Sequence, residues 1–487
     1  MTEQSAKFVE GSTMRHILVM SGTSTVGIMA IFLVDLLDML FISMLGQAEL
    51  AAAVGFAGTL TFFATSVCIG TSIAMGALMS KAIGAKHFDY ARRIGGSVLV
   101  IAFFISAIVT GVMCLYIPEM LTAIGAEGRA HERATAYLWI LLPSTPLIAL
   151  GMASGAGLRA AGDAKRSMWA TLSGGIVNAI LDPIFIFGFD WNVEGAAAAS
   201  VVARFAVFYF SFMPLLRIHR LLARPKWSQL SMDARVMLAI ALPAIVTNTA
   251  TPIGNAIVTT AIAQYGEAFV AGYAVIGRIT PVCFAFIFAL SGAVGPIIGQ
   301  NYGAVKIDRV EETLRNSLIV TTLYTVLVCV ILYLIQQPLI GAFSLTGDAA
   351  LIVSAFATYV AITFVFNGVL FVANTSFNNL GKPLYSTALN LGKATLGTLP
   401  FVYLGSLWFG ALGVLYGQAF GNIVFGVLGY IVLKFHISEL RETGECAKGE
   451  DPSLVCVNSQ PFTTQDPVLM GEVSQMEEEL ESSTISR

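Results

Sequence analysis

The sequence predicts an all-α integral membrane protein of twelve transmembrane helices, arranged as two six-helix bundles related by a pseudo-two-fold axis along the membrane normal. Three observations predict it. Charged residues make up only 12% of the 487 and apolar residues 56%, whereas a soluble domain carries about 25% charged residues. The apolar residues gather into twelve runs, each long enough to cross a bilayer. The chain also repeats itself. GALMSKAIGAK at Gly76–Lys86 returns as GPIIGQNYGAVK at Gly295–Lys306, and Gly162 of LRAAGDAKR returns as Gly381 of FNNLGKPLY, both at an offset of 219.

The runs lie at about 16–44, 52–79, 94–116, 134–157, 168–189, 194–216, 236–262, 270–298, 316–335, 349–375, 384–406 and 409–434. They are apolar all round rather than alternating, which makes them helices and not barrel strands. Six spans per half is an even number, so both halves enter the membrane in the same sense. Residues 16–216 then form an N-lobe and 236–434 a C-lobe, joined by a linker at 217–235. A short N-terminal segment (1–15) and an acidic tail (435–487) flank them. The tail is rich in Glu, Ser, Thr and Gln and reads as disordered.

Charge orients the bundle. The net −3 conceals a body of 24 bases and 19 acids before residue 439 and a tail of 3 bases and 11 acids from Glu439 onward. With the N-terminus inside, 22 of 27 bases fall on the inner side; Arg129 and Arg133 lie outside, and Arg204, Arg278 and Lys393 lie within spans. This bias places both termini in the cytoplasm and the protein in the cell inner (plasma) membrane. The basic linker Arg217–Arg235 is accounted for by topology, so no nucleic-acid partner is implied. Cys68, Cys114, Cys283 and Cys329 lie in apolar runs and Cys446 and Cys456 in the tail, without metal-ligand or disulfide spacing. No GxxxxGK[ST] or HExxH motif is present, so neither an ATP-driven pump nor an intramembrane metalloprotease is supported, and no enzyme activity is expected.

A charge at bilayer depth is costly, so intramembrane ionisable residues are the first functional candidates. Asp35 and Asp38 lie in the first span and Asp182 in the fifth, while the second half carries Arg278 and Lys393 and no acid deep in a span. Asp35 and Asp38 are three apart and share a helix face. Asn178 and Asp182 are four apart in GGIVNAILDP and stack on one face. An amide beside carboxylates can hold a proton or a sodium ion, which makes Asp38, Asn178 and Asp182 a candidate cation site. Pro183 follows and removes a backbone donor. Arg278 and Lys393 are candidate cleft charges.

At these residues the chain resembles the MATE family of multidrug and toxic compound extrusion transporters, over nearly all of 16–434. DMLFISMLGQAELAAAVG carries the family's span-one pattern with Asp38 and Gly46 in register. GLRAAGDAKRSM is similar to its inner-loop signature, and NAILDPIFIFGF with GAAAASVVAR to its fifth and sixth spans. The resemblance is closest to the DinF-like branch, in which first-lobe acids carry coupling. It implies a two-lobe fold, gradient-driven efflux and no cofactor besides the coupling ion. It adds Ser200 as the sixth-span hydroxyl and Tyr137 as the fourth-span tyrosine. The chain departs from the family at Ser21–Gly22, where an early proline is usual, at Asp35 for a common Asn, and at Ser200 for Thr. Second-lobe acids of other branches are absent.

The expectation is a monomeric proton- or sodium-coupled antiporter that exports amphipathic, cationic drugs or toxic organic compounds by alternating access. The alternative is a flippase or exporter of amphipathic anionic or lipid-linked substrates on the same scaffold.

Overall fold

The computed structural model describes residues 6–45 and 48–443. Gly46, Cys446, Cys456 and the acidic tail past Thr443 lie outside the described residues. The described chain is helical throughout, without strands.

In the first half, α1 (Thr13–Met44), α2 (Ala48–Gly84) and α3 (Phe88–Leu115) are unbroken spans, and a short α4 (Ile117–Ala123) follows. Then α5 (Gly128–Leu141) and α6 (Thr145–Ala160) make one span interrupted by a tighter turn at Leu142–Ser144, where Pro143 sits. α7 (Ala164–Pro183) and α8 (Asn192–Met213) each run into a widened π turn, at Ile184–Gly188 and Pro214–Ile218. Proline explains both widened turns, since it cannot donate to the carbonyl four residues back.

In the second half, α9 (Trp227–Ala263) precedes α10 (Glu267–Cys283) and α11 (Ala285–Gly303), one span bent by 46° at Phe284. α12 (Ile307–Ala342) is continuous. α13 (Gly347–Ala355) and α14 (Phe364–Asn379) form a span whose middle, Phe356–Thr363, is π and then 3₁₀. α15 (Pro383–Ala394) and α16 (Leu399–Thr443) close the chain.

The stretch Pro383–Glu442 has 60 residues. As one rod it would reach about 90 Å at 1.5 Å per residue, three times the hydrocarbon thickness of about 30 Å. It folds back instead at Gly410, whose φ of 60° and ψ of −138° lie outside the helical region. The hairpin's limbs touch backbone to backbone, because a β-carbon on Gly405, Gly413, Gly417 or Gly421 would strike a carbonyl of the opposite limb. Small residues give such close approach in lipid, where packing rather than hydrophobicity holds helices together. The hairpin supplies the last two of twelve crossings. Large apolar side chains such as Val112, Leu115, Leu323, Leu327 and Leu334 point outward, as a lipid solvent requires.

The duplication is written in the backbone. Left-handed residues recur at the same offset of 219: Lys86 with Val305, Gly125 with Ser344, Gly128 with Gly347, and Gly162 with Gly381. The hydrogen bonds that end the helices recur with them. His87 N–H donates to the Ala82 carbonyl and Lys306 N–H to that of Asn301; Asp163 N–H donates to Leu158 and Lys382 N–H to Phe377.

The halves meet at the face that carries the basic loops. There α1 lies against α11 and α12, and α9 lies against α2 and α3. β-carbons on Gly84, Gly299 and Gly303 would collide with Gln300, Ser80 and Lys81 respectively, so α2 and α11 approach as closely as bare backbone permits. Ser80 Oγ reaches Asn379 Oδ1 at 3.3 Å, and Gln300 Nε2 donates to the Ala160 carbonyl at 2.7 Å. The N-terminal segment straps this seam. Phe8 is buried, its N–H donating to Gln300 Oε1 at 2.9 Å and its carbonyl accepting from Asn301 and Arg309. On the other side of the molecule, buried Asp233 of α9 accepts from Ser97 Oγ at 2.6 Å and pairs with Arg93 of α3 at 3.3 Å. Among the described residues, the side-chain bonds that join the halves gather at this basic end.

The helices overrun the spans expected from hydropathy at the basic face. α9 begins inside the linker at Trp227, and α16 continues to Thr443, so residues 435–443 of the expected disordered tail are helical. Arg441 there binds Asp308 and Glu311 at 2.7 and 2.9 Å, which anchors the extension to α12.

Candidate functional site

The first half brings the sequence-predicted polar residues of three helices together. α1 presents Asp38, α7 presents Asn178 and Asp182 one turn apart, and α8 presents Ser200. Asn178 Nδ2 donates to Asp38 Oδ1 at 3.2 Å and also to Asp182 Oδ2. Ser200 Oγ donates to Asn178 Oδ1 at 3.3 Å. One amide thus bridges two carboxylates, and its own oxygen is held by a hydroxyl. Asn178 and Asp182 are buried, Asp182 completely, and Asp182 Oδ1 has no hydrogen-bond partner. An unpaired buried carboxylate oxygen is expensive. Here it marks where a proton or a small cation would complete the set, since hard cations take oxygen ligands.

The other expected residues stand apart from these bonds. Asp35, one turn before Asp38, is exposed and donates or accepts no hydrogen bond within the cluster. Tyr137 of α5 is half-buried and packs between two apolar groups, one formed around Ala53, Leu60 and Leu138 and the other around Ile42, Ile186 and Val193. It is a wall of the site rather than a hydrogen-bonded member. Arg278 of α10 is exposed and does not line the second-half cavity.

Sequence reasoning counted Arg204 among the bases within spans without giving it a role. Its Nη1 donates to the Leu141 carbonyl at 3.0 Å and to Ser144 Oγ at 2.8 Å. The tight turn at Leu142–Ser144 gives the Thr145 N–H to Leu142, which leaves the Leu141 carbonyl without its helical donor. Arg204 repairs that break. Its charge inside an apolar run was the legible signal; its target was not, because it depends on where the span breaks.

The second half replaces every member of the cluster. At the offset of 219, Asp38, Asn178, Asp182 and Ser200 correspond to Ile257, Gly397, Phe401 and Ala419. In their place is a cavity of about 550 Å³ between α9, α10, α14, α15 and α16. Lys393 lines it and is its one charged side chain, with Nζ at 2.8 Å from Asn367 Oδ1. Another hollow of about 560 Å³ lies between α12 and α16 at the basic face and is far from these residues.

A two-lobed helical body of twelve crossings, with a polar cluster inside its first half, has the form of a membrane transporter. The MatE family model matches twice, at residues 24–184 and 243–404, once in each repeat. The chain belongs to the MATE family of transporters. The FAD transporter of Shewanella oneidensis is 28% identical over 422 residues, covering 85% of this chain and 93% of that protein. The multidrug export protein MepA of Staphylococcus aureus is 22% identical, covering 85% and 92%. Among solved structures, a MATE transporter of Vibrio cholerae superposes with a TM-score of 0.83 at 24% identity, covering 91% and 98% of the two chains. A Pyrococcus furiosus transporter, described as having a binding pocket of reverse polarity, gives 0.83 at 21%, covering 91% and 99%. These likenesses bear out the twelve-helix, two-lobe expectation.

Proposed function

We propose that this chain is an antiporter of the cell inner membrane that exports amphipathic organic compounds by alternating access, driven by a proton or sodium ion at Asp38, Asn178 and Asp182. The observation that carries the proposal is the single amide bridging two carboxylates from different helices, with Asp182 Oδ1 left unpartnered. Two ionised carboxylates this close in a low-dielectric interior repel, and a cation between them relieves the repulsion. With a proton bound, Asn178 can keep donating as it does here. With sodium, a half-turn of the amide would offer Oδ1 in place of Nδ2. Either cation alters how α1 sits on α7, and α1 is also the helix that reaches across to α11. Cation occupancy thereby biases the packing of one lobe on the other. In this reading 16–216 and 236–434 are the moving lobes, 217–235 links them, and both termini are cytoplasmic, as the basic face implies.

A second reading concerns the charge of the substrate. The sequence-based expectation of a cationic substrate draws on the acids of the first lobe. The second-half cavity carries an ammonium and no carboxylate, which favours an anionic cargo. A relative named for FAD, itself an anion, is in keeping with that.

Purified protein in vesicles, with proton and sodium gradients imposed separately, tests the proposal. Asp38→Asn and Asp182→Asn should each abolish gradient-driven transport while leaving the folded protein intact. Full coupling in both variants would sink it.

A further inference from the structure

We infer that the second-half cavity is a binding site for an organic anion with a planar aromatic ring, the anionic group on Lys393 and the ring on Phe288, Phe364 and Phe371. This deepens the exporter reading and rests on it only for the direction of transport.

Four observations converge on the cavity. The first is charge. Lys393 is the sole charged group among the lining residues, and among the described residues Nζ has the neutral Asn367 amide alone within bonding distance. A half-buried ammonium balanced by one amide oxygen is incompletely compensated. A carboxylate or phosphate on a ligand supplies the missing charge through a charge-assisted hydrogen bond. The second is backbone geometry. Three helices lose regular α form beside the cavity: α10–α11 at Phe284, the middle of the tenth span at Phe356–Thr363, and the gap between α15 and α16 directly after Ala394. Irregular backbone at membrane depth is tolerated where it lines a cavity.

The third is the lining. Phe288 packs with Phe371 at 5.3 Å between ring centroids, and Phe364 stacks on Phe284 at 4.0 Å, so the apolar end of the cavity is a wall of rings. Rings favour offset stacking with a flat ligand. Asn255, Asn390 and Asn422 add neutral polar groups. The volume of about 550 Å³ falls in the range that holds a drug-sized molecule. The fourth is the repeat. At the offset of 219, Lys393 and Asn367 correspond to Gly174 and Ile148, so the ammonium–amide pair is peculiar to this half and is no remnant of the shared scaffold.

Two dyes of one xanthene skeleton test the site: fluorescein, an anion, and rhodamine 123, a cation. Fluorescence polarisation of the full chain in detergent, with no gradient, reads binding alone. Lys393→Met should weaken fluorescein binding about tenfold or more, the scale of a lost charge-assisted bond, and leave rhodamine binding unchanged. Lys393→Arg should stay within about threefold of the parent, because it keeps the charge. Lys393→Gln is a second neutral variant should the methionine form fail to fold, which a thermal melt reports. Unchanged fluorescein binding in the folded neutral variant, or equal loss of both dyes, overturns the inference. Vesicle transport separates the two proposals. Lys393-dependent fluorescein binding without gradient-driven movement of either dye defeats the exporter reading and leaves the site. Gradient-driven rhodamine efflux with Lys393-indifferent fluorescein binding does the reverse.

Discussion

Two buried carboxylates of the first half sit in opposite circumstances. Asp163, at the start of α7, is saturated. It accepts from the Arg166 N–H at 3.1 Å, from the Arg166 guanidinium, and from His219 Nε2 at 2.8 Å. Burial alone would raise its carboxyl, but the bonds from His219 and Arg166 outweigh it and hold the group well below the usual carboxylate range. A depressed carboxylate stabilises the folded state fully above its unfolded value of about 4 and loses that contribution progressively as pH falls from there through the folded value. Asp163→Asn should therefore lower stability by about 1–2 kcal/mol, the usual worth of a helix cap and its charged bonds. The difference from the parent should shrink as the pH of a detergent melt is taken below about 4. A variant as stable as the parent at neutral pH would show that the cap is idle. Asp182, by contrast, keeps Oδ1 unpaired, and the proposed coupling site lies there. The sequence made Asp38, Asn178 and Asp182 legible because charge and amide stand out in apolar runs at helical spacing. Asn367 was not legible, since one more amide in a polar-flecked helix has no signal until Lys393 is seen to reach it.

Among elements, the signature around Gly162 has a geometric cause. Gly162 takes a φ of 76° to end α6, Asp163 caps α7, and Arg159 reaches forward to Ser167 Oγ at 2.9 Å. A glycine, an acid and two bases at that spacing are what a tight reversal between two helices needs. Its repeat at Gly381 has the same backbone, but Lys382 stands in the place of the acid, and Asn378 and Tyr385 in the places of Arg159 and Arg166. The α15–α16 hairpin makes a sharper test. Gly421→Leu would drive a side chain into the Gly397 carbonyl, backbone that cannot step aside. Overpacking of this kind costs about 1–3 kcal/mol or more, so the variant should melt several degrees lower or fail to accumulate in the membrane. Gly22→Leu on α1, with open space around its β-carbon, is the matching control. Hydropathy located the spans but not their interruptions, which fall beside prolines such as Pro143, Pro183 and Pro214 and at Gly410, where glycine contacts are revealed only by the neighbouring limb.

At the scale of the whole molecule, the two halves keep one frame and divide the chemistry, acids in the first and an ammonium in the second. The family model finds both copies, at residues 24–184 and 243–404, and their starts are separated by the offset read from the glycines. The arrangement is closed at the basic face, so the proposed alternating access requires that seam to part. Cysteines introduced as Ser80→Cys and Asn379→Cys, joined by a short bis-thiol cross-linker, should stop transport, and a cleavable linker should restore it on reduction. Transport that continues with the pair joined would mean that the lobes do not separate here.

The materials of that seam have an energetic consequence for the cell. Its centre is glycine backbone, a serine hydroxyl and the amides of Gln300 and Asn379. None of these groups changes charge across the physiological pH range. The ion pair of Asp233 with Arg93 stands to one side. A plug made of ionisable groups would loosen as the proton gradient it guards grew or collapsed, and would weaken with salt. In the proposed antiporter, a seam whose centre is neutral keeps its packing as the gradient changes, which limits leakage of the driving ion.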